Sequence, residues 1–587
     1  MKGSLQSLAA LLLVLSAFAE KHPRARFLGS MSSEGATAPF VSTKDNSVVQ
    51  MGSFSVTPSV IEDGGDVVVS WSDMKTAVAG NDFVTVSCGP VNNATDYLDL
   101  LNVTGGATSG TINVLRSWVQ MRCDYDFTYY SVADGVGRPV GKATVTLVGG
   151  KESPTQGHLA YGDQHGEMWL TFVSGSNKTP IVRIGTTKGV YDKIFSGTSH
   201  TYAASDLCQA PGNQTSQQWF RDPGMIHDVL MTGLDASTQY FYVYGHEEGI
   251  SMSKERTFVT RPPEHDIESS VKFIAYADMG YQEGMTTATN ALEDVFSSGF
   301  RDFLLHFGDI SYARGQGWQW DSWFKVVEPL AAQIPYMISI GNHEYDHVEG
   351  GANGHDPSGV VTDGGWHPTW GNMGDDSNGE CGVPMFHRFK APSVSPYQAK
   401  TNGIFWYSFN AGPVHIIQIS TEHDWTKGSK QFAFLEHDLS KVNRTVTPWV
   451  ILTGHRMMYT TQMCEENDYR VSLQMRAELE DLIFEYQVNL MLVGHQHNYE
   501  RSCKVYKGQC TSDGTGTIHA VVGSAGASVE SCGFNSSLFG NYSVRHVDKW
   551  GYSRLAATRE TLTMEFILNA DQSVFDRVVV LPWGRNE

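Results

Sequence analysis

The chain has 587 residues, 41% hydrophobic and 11% aromatic, a globular composition that excludes disorder and collagen-like repeats. That length exceeds what one hydrophobic core supports, so two to four domains are expected. A formal charge of −21, from 63 acidic against 42 basic side chains, repels polyanions and argues against nucleic-acid binding.

The first residues have the form of an export leader. Lys2 precedes an apolar run from Leu8 to Leu15, and Ala17-Phe18-Ala19 is a small-x-small cleavage pattern, which predicts a signal peptide over 1–19. A membrane anchor would need about 20 apolar residues, and Glu20, Lys21 and His22 interrupt too soon. No later segment is apolar enough to span a bilayer, so no membrane span is expected. Export agrees with seven Asn-x-Ser/Thr sequons, at Asn93, Asn102, Asn177, Asn213, Asn443, Asn535 and Asn541, each a candidate glycosylation site. It also agrees with an even number of cysteines, eight, all beyond the leader. Cys503 is expected to pair with Cys510 around a short loop containing Gly508, and Cys88 with Cys123. A Cys-based metal site is not expected, because no CxxC pair occurs. The predicted location is extracellular, with vacuole and cell wall as alternatives.

Residues 48–150 read as strands: Asp66 to Trp71 and Phe83 to Ser87 are β-branched and aromatic runs broken by Gly, Asn and Asp. A second β-region covers 153–263, with Leu170 to Val173 and Tyr240 to Tyr244 as its clearest strands. Each is expected to be a β-sandwich. The texture changes near residue 270. Short apolar strands end in Gly and polar residues: Phe273 to Ala277, Phe303 to Phe307, Tyr336 to Ile340, His415 to Ile419, Trp449 to Leu452 and Leu490 to Val493. Helical stretches lie between them, such as Thr287 to Phe296 and Leu473 to Tyr486. The alternation predicts an α/β layer fold, in which ligands sit beyond the carboxyl ends of strands.

Chemistry appears at those ends. Asp278 follows the first strand, and Asp309 and Tyr312 the second. Asn342, His343 and Glu344 follow the third, in Gly-Asn-His-Glu. His455 follows Thr453-Gly454, and His495 and His497 follow Gly494. Glycine precedes the polar residue four times, as a tight turn beside an ion requires. An Asp after a strand is ordinarily a turn residue, and one His-x-His is ordinarily structural. Five such ends in one domain point instead to a metal site.

The ordered set Asp-x-Gly, Gly-Asp-x-x-Tyr, Gly-Asn-His-Glu, Gly-His and Gly-His-x-His resembles the calcineurin-like metallophosphoesterases. Tyr312 narrows the resemblance to purple acid phosphatases. Gly308 to Gly315, Gly379 to Pro384 and Gly454 to Tyr459 are similar to the large plant-type members. The resemblance implies a four-layer α/β sandwich, two mixed sheets flanked by helices, over 270–555, with a C-terminal β extension over 556–587. Two β-sandwich domains would precede it, the second, 153–263, being fibronectin-III-like. Asp309 would bridge two ions. Asp278, Tyr312 and His497 would complete a ferric site, and Asn342, His455 and His495 a divalent one for zinc, manganese or iron. The implied activity is acid hydrolysis of phosphate monoesters by a metal-activated hydroxide. Nucleotide pyrophosphatase, phosphodiesterase and phytase activities are the alternatives, and a non-catalytic secreted binding protein is the remote one. A homodimer is left open.

His343 would bind phosphate or protonate the leaving oxygen, against the plainer reading of a hydrogen-bonding support. Asn342 would also touch substrate. Smaller plant members carry a histidine pair about ten residues after the equivalent of His455, where this chain has Cys464 and Glu465. The departure leaves His343 and Arg456 as candidate substrate-side groups. Arg456 could equally form a structural salt bridge.

Overall fold

The computed structural model describes residues 51–585 and the two-residue strand Phe40–Val41, apart from 75–81, 90, 92–94, 104–107, 134–135, 249–250, 351–354, 361–363, 372, 463 and 531. The expected leader and Asn93 lie outside the described residues.

In the N-terminal region one sheet holds Ser53–Thr57, Gly65–Ser72 and Gly110–Trp118. A second is built on Phe83–Cys88, Asp99–Asn102, Tyr125–Ala133 and Val136–Leu147. Alternation along Gly65–Ser72 turns Val67, Val69 and Trp71 inward, and Trp71 meets Tyr129 from the opposite sheet. The next region pairs the sheet of Thr155–Tyr161, Met168–Ser174, Thr198–His200 and Met225–Met231 with that of Pro180–Gly185, Lys193–Ser196, Gln239–His246 and Arg256–Val259.

The third region holds two mixed sheets. Its strands are β1 (Val271–Tyr276), β2 (Leu304–Phe307), β3 (Tyr336–Ser339), β4 (Tyr407–Ala411), β5 (Val414–Gln418), β6 (Trp449–Thr453), β7 (Leu490–Val493), β8 (Tyr499–Tyr506), β9 (Thr517–Val522), β10 (Gly551–Ala557), β11 (Leu562–Leu568) and β12 (Val574–Val580). One sheet runs β3-β2-β1-β10-β11-β12 and the other β4-β5-β6-β7-β9-β8. Parallel pairing joins β1 to β2 and β2 to β3 in the first sheet, and β5, β6, β7 and β9 in the second. Near-continuous apolar runs such as Trp449 to Leu452 suit strands buried on both faces. The helices of ten or more residues are α1 (Gly284–Glu293), α2 (Gly317–Ala331), α3 (Lys430–Lys441) and α4 (Glu466–Glu485). This is the expected layered architecture preceded by β-sandwiches. The expected boundary at 555/556 falls inside β10, because the last three strands complete the first sheet rather than follow it.

Helix α2 ties all three regions together. Asp321 receives both terminal nitrogens of Arg122, at 2.7 and 2.9 Å, from the first β-region. Two turns along, Glu328 accepts from Tyr244 at 2.8 Å and pairs with Arg256 at 3.4 Å, both in the second. Such a buried pair costs ~3–5 kcal/mol to break one-sidedly, so it fixes how the domains seat.

Disulfides join Cys88–Cys123, Cys208–Cys381, Cys464–Cys532 and Cys503–Cys510. Both expected pairings are present. Of the sequon asparagines, Asn102, Asn177, Asn443, Asn535 and Asn541 are exposed and Asn213 is half-buried.

One buried histidine makes a pH prediction. His519 on β9 is packed against Tyr459, with Nδ1 lacking a partner. Burial, with the nearby Arg476 charge adding, pushes its imidazole down to about 3. The unfolded chain takes that proton near pH 6.5, whereas the folded one does not until far lower. Its contribution is therefore full above pH 6.5 and is lost as pH falls toward 3, by up to ~1.4 kcal/mol per pH unit. In urea unfolding at pH 7 and pH 4.5, His519→Gln is expected to lose less stability on acidification than the parent; equal losses would contradict the assignment.

Candidate metal centre

Every expected ligand lies just past the carboxyl end of a parallel strand. Asp278 follows β1, Asp309 and Tyr312 follow β2, Asn342 and His343 follow β3, His455 follows β6, and His495 and His497 follow β7. The preceding glycines have a concrete reason. A Cβ at Gly341 would strike the Asp309 carboxylate, and one at Gly494 would strike that of Asp278. The backbone is also held in an uncommon conformation. Asp278, Asp309, Tyr312 and His495 have φ of 58°, 50°, 53° and 70°, a left-handed geometry costing on the order of 1 kcal/mol or more at each. Glu344 pins the two loops that carry Asp309 and Asn342: its carboxylate accepts from the backbone N–H groups of Asp309 (3.0 Å), Ile310 (2.8 Å) and Gly341 (3.1 Å).

The seven side chains converge as two sets of donors around one carboxylate. In the first set the Tyr312 hydroxyl lies 2.9 Å from His497 Nε2 and 3.4 Å from Asp278 Oδ1, with 3.7 Å between the latter two. In the second, Asn342 Oδ1 lies 2.8 Å from His455 Nε2 and 3.1 Å from His495 Nδ1. Asp309 stands between them. Its Oδ1 is 3.2 Å from His455 Nε2, and its carboxylate clusters within 4.8 Å of ligand atoms of Asp278 and His497. Ligand atoms around one cation, with bonds of about 2.0–2.2 Å, stand roughly 3.0–3.5 Å apart.

Protonation fits metal binding independently. His497 Nδ1–H faces the Ser528 carbonyl at 2.8 Å, His455 Nδ1–H faces that of Phe307 at 3.2 Å, and His495 Nε2–H faces Asp468 Oδ1 at 3.0 Å. Each outer nitrogen is thereby the donor, which leaves each inner nitrogen to give its lone pair to a cation; without one, burial is outweighed by Asp309 and Asp278, which push His455 up to about 10. Asn342 is oriented likewise: its amide nitrogen donates to Asp376 Oδ2 at 2.9 Å and turns the oxygen inward. The charges need a cation too. Burial pushes Asp278 well above the usual carboxylate range, and Asp309 adds to that against the pull of His455. Burial, then the charges of Asp278 and Asp309, drive the Tyr312 phenol well up. The residues present fit a pair of cations.

His343 borders the resulting cavity of about 540 Å³, its Nε2 3.6 Å from Asp309 Oδ2. Arg456 departs from the expectation that it grips substrate. Its guanidinium is buried and held by Glu422 (2.8 Å), Asp346 (3.0 Å) and the Met373 carbonyl (3.3 Å), beside His495. That environment neutralises its charge, and with Nη1 3.6 Å from the Asp468 carboxylate that takes the His495 Nε2–H, Arg456 supports His495 through Asp468. Cys464 is in a disulfide, and Glu465 lines the cavity with Glu530, so one rim is acidic. Sequence reasoning missed Asp468, Asp376 and Ser528. They lie in a helix and two loops without motif, and only their three-dimensional neighbours give them a role.

Three family models match the chain: the purple acid phosphatase N-terminal domain over residues 154–260, the calcineurin-like phosphoesterase over 271–499, and the iron/zinc purple acid phosphatase-like protein C domain over 516–577. The chain is 30% identical to "Probable inactive purple acid phosphatase 9" of Arabidopsis thaliana, covering 92% of this chain and 87% of that protein. It is 32% identical to a "Nucleotide pyrophosphatase/phosphodiesterase" of Hordeum vulgare, over 54% of this chain and 85% of that one. The solved purple acid phosphatase PPD1 of yellow lupin (Lupinus luteus) seeds superposes with a TM-score of 0.70 at 26% identity, covering 90% of this chain and 95% of that one. With the fold, the strand-end residues and these relatives in agreement, the chain belongs to the purple acid phosphatases, a family of calcineurin-like metallophosphoesterases.

Proposed function

We propose that the chain hydrolyses phosphate monoesters in acid, using a ferric ion held by Asp278, Tyr312 and His497 and a divalent ion held by Asn342, His455 and His495, with Asp309 shared. The observation carrying this reading is that the outer ring nitrogen of His455, His495 and His497 each faces an oxygen acceptor, which leaves the inner nitrogens for a cation. When bound, such a pair of cations supplies Lewis acidity toward the phosphoryl oxygens and makes water nucleophilic below neutral pH. The protein's own part is placement. Glu344 and Asp376 hold the Asp309 and Asn342 groups still, and His343 faces the cavity where it can bind a phosphoryl oxygen or hand a proton to the leaving one.

A second reading, phosphodiester or nucleotide pyrophosphate cleavage, is favoured by one feature. A second cavity of about 540 Å³ opens on the far side of Tyr312 and His497, walled by Trp219, Tyr281 and Gln316, with room for a second substituent on phosphorus. The name of the barley relative agrees with it. Phytate is disfavoured by the acidic rim of Glu465 and Glu530. The Arabidopsis relatives named as probable inactive proteins keep a binding role in view; against it, all seven positions carry side chains of types able to bind a metal ion. Export with glycosylation is part of the proposal. It is supported by the leader-like sequence of residues 1–19, the exposed sequons and four disulfides; no helix among the described residues is long and apolar enough to cross a membrane.

The test compares p-nitrophenyl phosphate, its bis-ester and a nucleotide sugar on the metal-loaded full chain. Fastest turnover of the monoester below neutral pH supports the first reading. Preference for either of the others supports the second, and no turnover of any would leave the binding protein.

A further inference from the structure

Arg314 has no part in holding ions, and its surroundings give it another task. We propose that Arg314 is the anion clamp of this site: its guanidinium takes the non-leaving oxygens of a phosphoryl group seated over Asp309. The proposal rests on the phosphate-ester reading and adds the residue that would hold the substrate.

The side chain is exposed, and none of the described carboxylates forms an ion pair with it. Its present partners are weak and neutral. Nη2 lies 3.1 Å from His343 Nε2, and the guanidinium carbon stands 5.2 Å from the centroid of the Tyr312 ring. The same His343 nitrogen is 3.6 Å from Asp309 Oδ2, so the guanidinium reaches the neighbourhood of the shared carboxylate. A phosphoryl dianion offers charge-assisted, two-point hydrogen bonds that a lone pair and a ring face cannot match.

The backbone is built to aim it. Arg314 has a φ of 50°, as uncommon as that of its ligand neighbours Asp309 and Tyr312. Its carbonyl accepts from Asn378 Nδ2 at 3.1 Å, and the next N–H, of Gly315, donates to the buried Glu380 at 3.2 Å. A Cβ at Gly315 would collide with the Gly212 backbone, which packs the turn from the second β-region. A surface arginine with no task needs no such anchorage.

Electrostatics leaves it the role. Two arginines line the cavity over Asp309, and Arg456 is neutralised by Glu422 and Asp346. Arg314 also borders the second cavity, so it stands where a phosphoryl group would sit for a monoester or a diester. Cys464 and Glu465 stand where smaller plant members carry a histidine pair, and Arg314 is the lining residue left to bring a fixed positive charge.

The experiment uses inorganic phosphate, whose binding needs no turnover, on the metal-loaded full chain. Calorimetry is expected to give a Kd on the order of 10–100-fold weaker for Arg314→Ala, with Arg314→Lys in between. Added guanidinium ion is expected to restore part of the loss, and metal content to equal that of the parent. Rescue separates a clamp from a merely structural residue. Arg314→Ala binding phosphate within about twofold of the parent would overturn the proposal, as would a parent that binds no phosphate. A parent that binds phosphate through Arg314 yet cleaves no ester would contradict the hydrolase reading alone.

Discussion

Asp309→Asn is expected to lower turnover of a phosphate monoester on the order of 1,000-fold, about 4 kcal/mol of barrier. Asp309 is almost fully buried, takes the His343 backbone N–H at 3.1 Å and faces both donor sets. Burial works against its charge, but His455 and His343 hold its carboxyl well below the ordinary range, so it stays an anion. Asparagine keeps the shape and removes that charge, along with one of the two oxygens that a shared ligand needs. The loop itself should persist, because Glu344 holds it through backbone N–H groups the substitution leaves untouched. Thermal unfolding close to that of the parent, together with lost activity, is the expected pair of results. Parent-like turnover would remove Asp309 from the bridging role.

Tyr312→Phe is expected to abolish the visible absorption band that a phenolate bound to ferric iron produces, while metal content falls by no more than one ion per chain. Left to the protein alone, the phenol stays protonated: burial and the two aspartates drive its pKa well up. Only a strongly polarising cation against the oxygen reverses that order. The hydroxyl lies 2.9 Å from His497 Nε2, where such a cation would be shared. Colour that survives the substitution would mean that another residue supplies the charge transfer, and the proposed ferric site would be wrong.

How much of this was legible beforehand divides along physical lines. Strand ends were, because apolar runs closed by Gly and a polar residue combine a buried-strand pattern with turn chemistry. The ten runs read as strands from Asp66 to Val493 all overlap strands. Helix boundaries were less so. The stretch read from Leu473 begins at Glu466, whose polar first turn carries no apolar periodicity, and the one read from Thr287 begins at Gly284. Helix α2 escaped altogether: it opens at Gly317, is rich in tryptophan and carries Pro329 inside it, residues that do not read as helix formers. In the site, the residues that would touch ions were readable from motifs. Those that orient them were not, because Asp468 on a helix and the Ser528 carbonyl in a loop owe their roles to tertiary placement. Arg456 had two readings in sequence, and the carboxylates of Glu422 and Asp346 decide between them.

Counting ions tests the account most directly. The full chain, expressed through a secretory route and analysed by elemental mass spectrometry, should carry about two transition-metal ions per molecule, one of them iron. Fewer than one ion per chain, in protein that unfolds cooperatively and keeps its four disulfides, would contradict it.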